Sequence, residues 1–430
     1  MKWCILGIDG YLGWTLACHL ASLGEQVCGV DAFLRRKWVE RVGSRSVIPI
    51  ASMPDRLATF AAAFPDHGPL PFTELDLLAY TKMRDFLKGQ EPDVIVHLAE
   101  QPSAPYSMID QEPGAVTITN NIVGTYNVLM GMREVCPEAH LIKIGTMGEY
   151  GTPGIPIPEG VFPPLALWEH GTPEGEQVSG CEPVWPSFVG RLSGLQFPRC
   201  PGSTYHAAKC MDTVMVEFAC RMWGLTSTDI MQGVVYGTSI PAFDDPELRT
   251  RFDVDECFGT AINRFVAQAI IDEPITPYGA GHQKRGFLPL IDSMRCITLL
   301  GQNPPAAGEY RTVNQLEAVY DITDLALKVR AAGKRAGLSP RIRNWTNPRT
   351  EQEEHTYEVI HDKLTALGYE PTRDMDSVLD GMFADLLPHK RRIESVAKLI
   401  RPRTRWQSIG PCQEELGPLD GPEEAEAVEA

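Results

Sequence analysis

The stretch Trp3-Cys4-Ile5-Leu6-Gly7-Ile8-Asp9-Gly10-Tyr11-Leu12-Gly13 decides how the chain is read. Apolar residues of strand length run into three glycines spaced three apart, and a helical apolar pattern, Thr15 to Leu23, follows at once. Glycine lets the backbone turn tightly, approach a pyrophosphate without a Cβ clash and bring helix close to strand. The helix N-terminus offers unpaired N–H groups and the positive end of a dipole. Asp31 closes the next strand pattern, Gln26 to Val30, 18 residues after Gly13. A carboxylate there can accept hydrogen bonds from adenosine ribose hydroxyls. Turn and carboxylate together predict a dinucleotide site. The same carboxylate would repel a 2′-phosphate, so NAD is expected rather than NADP. Arg35 and Arg36 could pair with such a phosphate, stack on adenine or lie in solvent. Asp76-Leu77, ending a third strand, could cap the adenine edge.

Working outward, strand-length runs at Pro71 to Leu75, Val94 to Leu98 and Leu141 to Ile144 alternate with helical patterns such as Ile118 to Met132. That alternation implies βαβ crossovers and a buried parallel sheet. The expected class is α/β, a Rossmann-type doubly wound parallel sheet with a smaller mixed α/β substrate-binding lobe. Residues 1–239 are assigned to the cofactor domain. Within them, 151–202 hold ten prolines and little periodicity and read as an inserted loop carrying Trp168, His170, Arg191 and Arg199. Beyond it, Tyr205 to Trp223 reads as a helix and Ser227 to Val235 as one strand. Residues 240–409 form mainly the substrate lobe, with some return to the first domain. After Gly410 there are seven Asp/Glu and no Lys/Arg, so 410–430 is expected to be a solvated, disordered tail.

The composition is that of an ordinary folded chain, with 43% apolar and 22% charged residues. A net charge of −17 argues against nucleic-acid or anionic-membrane partners and leaves a small-molecule ligand as the default. Eleven cysteines are scattered without a CxxC or other paired metal-type spacing. The N-terminus lacks a secretory pattern, and no apolar run reaches membrane-spanning length. Reduced thiols, a cytoplasmic location and no metal are expected.

A second constellation carries chemistry. Tyr205-His206-Ala207-Ala208-Lys209 opens a helix, and i, i+4 spacing puts Tyr205 and Lys209 on one face. An ammonium beside a phenol favours phenolate, which can take a hydroxyl proton while hydride leaves the carbon. Gly145-Thr146-Met147, at the end of a strand, offers a hydroxyl to the same substrate oxygen.

Glycine turn, strand-end Thr and YxxxK occur in the order of the extended short-chain dehydrogenase/reductases, which this chain resembles. Finer segments look like the UDP-sulfoquinovose synthases: Glu100-Gln101-Pro102-Ser103-Ala104-Pro105-Tyr106-Ser107, Gly145-Thr146-Met147-Gly148-Glu149-Tyr150-Gly151, Gln232-Gly233-Val234-Val235-Tyr236-Gly237, Phe258 to Phe265, Asn347-Pro348-Arg349 and Glu353-Glu354-His355. That family oxidises C4 of UDP-glucose with tightly held NAD, loses the C6 oxygen as water, adds sulfite to the enone and returns hydride to C4. By resemblance, Thr146, Tyr205 and Lys209 carry the C4 oxidation. Ordinary 4,6-dehydratases place Asp-Glu after the Thr; here Met147-Gly148 stands instead, leaving His206 or Glu149 as acid/base. The cofactor is expected on Gly7, Gly10, Tyr11, Leu12, Gly13, Asp31, Arg36, Asp76, Leu77, Leu98, Gln101 and Asn121, with Tyr205 and Lys209. The nucleotide sugar is expected on Gln101, Thr146, Glu149, Gln232, Arg264, Arg285 and Arg349. Arg285 suits a diphosphate, because arginine offers charge and a fixed fork of donors. Asn121 resembles a buried asparagine tying neighbouring strands near the cofactor.

Two departures stand out. The family has an arginine where this chain has Pro102, and its spacing between Thr and Tyr is shorter than the 59 residues here. The arginine's charge would help an anionic nucleophile such as sulfite. The alternatives are a related epimerase or dehydratase without sulfite addition, or a dinucleotide-binding regulatory protein. A homodimer through paired helices is implied by the group resemblance.

Overall fold

The computed structural model describes residues 1–162, 195–243, 245–349 and 357–407. Trp168, His170, Arg191, the Glu353-Glu354-His355 segment and the acidic tail lie outside them.

Among the described residues, ten strands form two sheets. β1 (Lys2–Leu6), β2 (Gln26–Asp31), β3 (Phe72–Glu74), β4 (Val94–His97), β5 (His140–Ile144), β6 (Thr226–Gln232) and β9 (Tyr310–Gln315) make a seven-stranded parallel sheet in the order β3-β2-β1-β4-β5-β6-β9. β7 (Val234–Tyr236), β8 (Lys284–Pro289) and β10 (Ala318–Asp321) make a small mixed sheet in the order β10-β8-β7. The chain winds outward from β1 in one direction and from β4 in the other. In such sheets the ligand crevice opens beyond the carboxyl ends of the strands at this switch point. The architecture is a Rossmann-like core with flanking helices and a smaller mixed lobe.

The run expected as one strand, Ser227 to Val235, is two strands in different sheets. The break falls at Gly233, where an added Cβ would lie 2.7 Å from the Gly286 carbonyl oxygen. Gly233 keeps a bond to the large sheet through Gln315 O (2.8 Å) while the chain crosses to the small one. The helical run around Ile118 to Met132 is also interrupted. Gln111–Ile118 and Gly124–Val135 are joined by a π-helical turn, Thr119–Val123, a feature often found at functional sites.

Helix Leu290–Gln302 packs against the core at Gly301, where a Cβ would meet the buried Trp3 indole at 2.0 Å. In the smaller lobe, helices Ala261–Ile270, Ile322–Arg335 and Met375–Leu386 bury Phe265, Leu325, Val329, Leu379 and Phe383 together. The described cysteines are free thiols, and no described helix is long and apolar enough to cross a membrane.

Candidate active site

A single cleft of ≈ 490 Å³ runs from the glycine turn, past the switch point, to the smaller lobe. Its wall begins at Gly7, Gly10, Tyr11, Leu12 and Gly13. Gly7 has φ +90°, and a Cβ on Gly13 would lie 2.2 Å from the Gly7 carbonyl oxygen. A side chain at Gly13 would force the helix Tyr11–Ser22 away from the turn, and one at Gly7 would meet the Leu98 and Ala99 backbone at 2.7 Å. The shape fits a pyrophosphate seated on bare backbone at a helix N-terminus.

Asp31, Asp76, Leu77 and Leu98 line the cleft as well. The Asp31 carboxylate accepts the N–H groups of Asp9 (2.8 Å) and Phe33 (2.7 Å). Burial, with Asp9 adding to it, pushes Asp31 up to about 6. The two neighbouring arginines are each paired with a carboxylate. Arg35 pairs with Asp253 (2.7 Å) and lies 3.9 Å over the Phe258 ring. Arg36, expected on the cofactor, instead forks onto Asp9 at 2.7 and 2.6 Å and does not line the cleft. Asp9 also receives the buried Arg56 at 2.6 Å, which lies 4.0 Å over Trp14. The glycine turn is thus pinned to two helices, Leu34–Arg41 and Met53–Ala63. An adenosine with free ribose hydroxyls fits this end, where the Asp31 carboxylate would repel a 2′-phosphate.

At the other end, Thr146, Tyr205, His206 and Lys209 share the wall. Ser203 caps the helix Thr204–Trp223 by accepting the His206 N–H (3.2 Å), which puts Tyr205 and His206 in its first turn. Burial raises the Tyr205 phenol, Glu149 and Asp212 add to that, and a hydrogen bond with Thr146 works against it. Lys209 donates to the Ile144 carbonyl (2.5 Å) and pairs with Glu100. Burial brings Lys209 down to about 8, opposed by Asp212 and Asp229. The His206 ring rests on Gly148: a Cβ there would be 2.3 Å from Nε2. Ser203 Oγ holds Nδ1 at 3.0 Å.

Toward the smaller lobe, Gln232, Arg264, Arg285 and Arg349 line the cleft. Arg264 is buried, with its guanidinium 4.9 Å over Tyr278, and its Nε and Nη1 find no acceptor among the described residues. Burial and then the charge of Arg349 bring it down to about 9. A crowded, partly unsatisfied guanidinium such as that of Arg264 is what a polyanion would relieve.

Three further expected residues lie behind the wall. Gln101 is buried, with Nε2 donating to Thr117 Oγ1 (2.6 Å) and Ser103 O (3.0 Å). Asn121 clamps its backbone, accepting the Gln101 N–H (2.8 Å) and donating to its carbonyl (3.0 Å). Glu149 is fully buried, bound by Arg199 (2.9 Å) and Thr213 (3.0 Å) and 3.7 Å from Lys143. It sits in a structural charge cluster rather than against a substrate. Reading the sequence missed Glu100, Arg251, Asp253, Tyr278 and Gln283, all in the wall. Only Glu100 had a signal, its place just beyond the end of β4 at the switch point.

The profile of the NAD dependent epimerase/dehydratase family matches residues 3–166. The chain is 40% identical over 407 residues to a UDP-sulfoquinovose synthase of Sulfolobus acidocaldarius, covering 95% of this chain and 98% of that one. It is 39% identical over 408 residues to the chloroplastic UDP-sulfoquinovose synthase of Spinacia oleracea, covering 94% and 79%. Among solved structures, UDP-glucuronic acid 4-epimerase from Bacillus cereus, in complex with UDP-glucuronic acid and NAD, superposes with TM-score 0.62 at 19% identity over 90% of this chain and 99% of that one. A UDP-glucose 4-epimerase from Thermotoga maritima, with UDP-glucose, gives 0.61 at 17% over 93% and 100%. The glycine turn, the Asp31 carboxylate and these likenesses agree on NAD as the cofactor of the cleft. The chain is a member of the NAD-dependent epimerase/dehydratase (extended short-chain dehydrogenase/reductase) family, closely related to the UDP-sulfoquinovose synthases.

Proposed function

We propose that this chain converts UDP-glucose and sulfite to UDP-sulfoquinovose, beyond the NAD-dependent, 4-keto chemistry of nucleotide sugars that its family shares. The observation that carries the reading is the His206 imidazole lying on Gly148. By sequence, Gly148 stands at the second position of the Asp-Glu pair of plain 4,6-dehydratases, and the imidazole covers it.

Tyr205 takes the C4 hydroxyl proton, with Thr146 holding the same oxygen. Bound NAD would supply the acceptor for the C4 hydride and the donor that restores it. Lys209 holds the nicotinamide ribose and stabilises the phenolate. A C4 ketone acidifies the C5 proton, which His206 removes through Nε2, while Ser203 holds Nδ1. His206 passes that proton to the C6 hydroxyl, which leaves as water. Bisulfite then adds through sulfur at C6 of the enone, its proton passing by way of His206 to C5, and Tyr205 returns its own proton to the C4 oxygen. Arg264, Arg285 and Arg349 bind the diphosphate. A second reading, in which the enone or ketone is processed without sulfite, is favoured by Pro102, which lines the cleft where the related synthases have an arginine. Incubation with UDP-glucose, with and without sulfite, separates the two by product mass: a sulfonated product supports the first reading, and a product indifferent to sulfite sinks it.

The protein acts as a homodimer in this reading. Met211, Val214 and Met222 of the helix Thr204–Trp223 are 55, 59 and 57% exposed, and Ile118, Val123 and Tyr126 stand exposed on the helical run packed beside it. Val214→Glu should yield monomers in sedimentation; an unchanged dimer would reject this face.

A further inference from the structure

We infer that Glu100 is a positioning residue for the catalytic lysine, keeping the Lys209 ammonium charged and aimed at the nicotinamide ribose and Tyr205. The inference rests on the proposed roles of Tyr205 and Lys209.

Glu100 follows β4 and is held from three elements. Its Oε1 accepts from Thr125 Oγ1 at 3.3 Å, on the helix Gly124–Val135, and lies 3.5 Å from His97 Nε2 on β4 itself. Thr125 in turn is 3.1 Å from the same His97 nitrogen. Burial, then the charges of Lys209 and Lys143, hold His97 neutral, down to about 3, so it brings no charge to the pair. Oε2 has no other hydrogen-bond partner and faces Lys209.

Asp212 and Asp229 also favour the charged form of Lys209, but from beyond ion-pair distance, whereas Glu100 is in contact with it. Asp212, one turn along its own helix, is buried and makes no side-chain hydrogen bond among the described residues. Asp229 on β6 is taken up by Thr213 (2.7 Å), Tyr310 (3.1 Å) and Lys143 (3.4 Å). Glu149 is bound by Arg199 and Thr213. Lys143, on β5, donates to the Lys209 carbonyl at 3.4 Å and adds a like charge. Burial therefore disfavours the Lys209 ammonium, and Glu100 is the carboxylate in contact that restores it. A neutral Lys209 would neither donate fully to the ribose nor stabilise the Tyr205 phenolate.

The test uses full-length protein carrying NAD, as wild type, Glu100→Gln and Glu100→Asp. Two readouts are followed from neutral to alkaline pH: NAD retained per polypeptide after gel filtration, by mass spectrometry, and kcat for UDP-glucose consumption. In wild type the alkaline limb of NAD retention and kcat should fall near pH 8, where Lys209 stands, and in Glu100→Gln it should be shifted down from there by about one pH unit or more. Glu100→Asp, which keeps the carboxylate, should restore much of that limb. Wild-type pH profiles in Glu100→Gln, for retention and kcat alike, overturn the inference. Wild-type protein that holds NAD but ignores UDP-glucose would overturn the substrate reading instead, and the retention profile would still decide the role of Glu100.

Discussion

Replacing Gly148 with alanine tests the placement of His206 with a single methyl group. Gly148 has no left-handed backbone angle, so alanine is tolerated there conformationally. The added Cβ would lie 2.3 Å from His206 Nε2 and 2.5 Å from Cδ2, against an ordinary contact of about 3.4 Å. The imidazole must therefore move by about an ångström, and as the end of a side chain it can do so without unfolding anything. Misplacing a reacting group by this much costs roughly 10²-fold in rate, and losing acid–base help altogether costs about 10²–10⁴-fold. Formation of sulfonated product should fall about 10²-fold in Gly148→Ala. C4 oxidation, which depends on Thr146, Tyr205 and Lys209, should persist, so the absorbance of reduced nicotinamide should build up in a single turnover. Thermal unfolding should shift by no more than about 1 kcal/mol. Wild-type product formation in Gly148→Ala would refute the role given to His206. Loss of C4 oxidation together with product would refute its separation from the redox step.

Two other perturbations probe the cofactor end and the core. Asp31→Ala removes the carboxylate meant for the ribose, and a lost charge-assisted hydrogen bond of about 1.5–3 kcal/mol implies roughly ten- to hundredfold weaker NAD binding by calorimetry. Because burial and Asp9 hold Asp31 up to about 6 in the free protein, and the ribose contact needs the ionised form, NAD affinity should be full above that pH and fall as pH drops through it; Asp31→Ala should lack this acid limb. Gly301→Ala drives a Cβ into the Trp3 indole at 2.0 Å, an overpacking of about 1–3 kcal/mol. It should lower the unfolding temperature while NAD affinity stays at the wild-type value, and an unchanged unfolding temperature would refute the packing assigned to Gly301.

The features legible in the sequence were those fixed by local geometry. Gly13 is required by backbone contacts within the turn and Gly7 by its φ of +90°, and Asp31 follows from the length of one βα crossover. YxxxK reads correctly as one helix face because three to four residues make a turn. The illegible features depend on partner choice in three dimensions. Arg35 and Arg36 are adjacent in sequence but diverge on the helix Leu34–Arg41, so one reaches Asp253 and the other Asp9. Nothing local distinguishes Glu149, whose partners come from β5, Arg199 and the catalytic helix, from a carboxylate facing substrate. Glu100 was passed over for Gln101 beside it, although the strand end directs Glu100 at Lys209 and turns Gln101 into the protein. Gly233 reads as one weak residue in a strand until Gly286 is placed against it.

The central claim is that one site removes a hydride from C4 of the sugar and later restores it. The most direct measurement supplies UDP-glucose deuterated at C4, with sulfite, and locates the label in the product by mass spectrometry and NMR. Deuterium back at C4 of a sulfonated product, with no turnover in Tyr205→Phe, is the predicted result. Deuterium absent from C4 of the product, or turnover that survives Tyr205→Phe, would contradict the account.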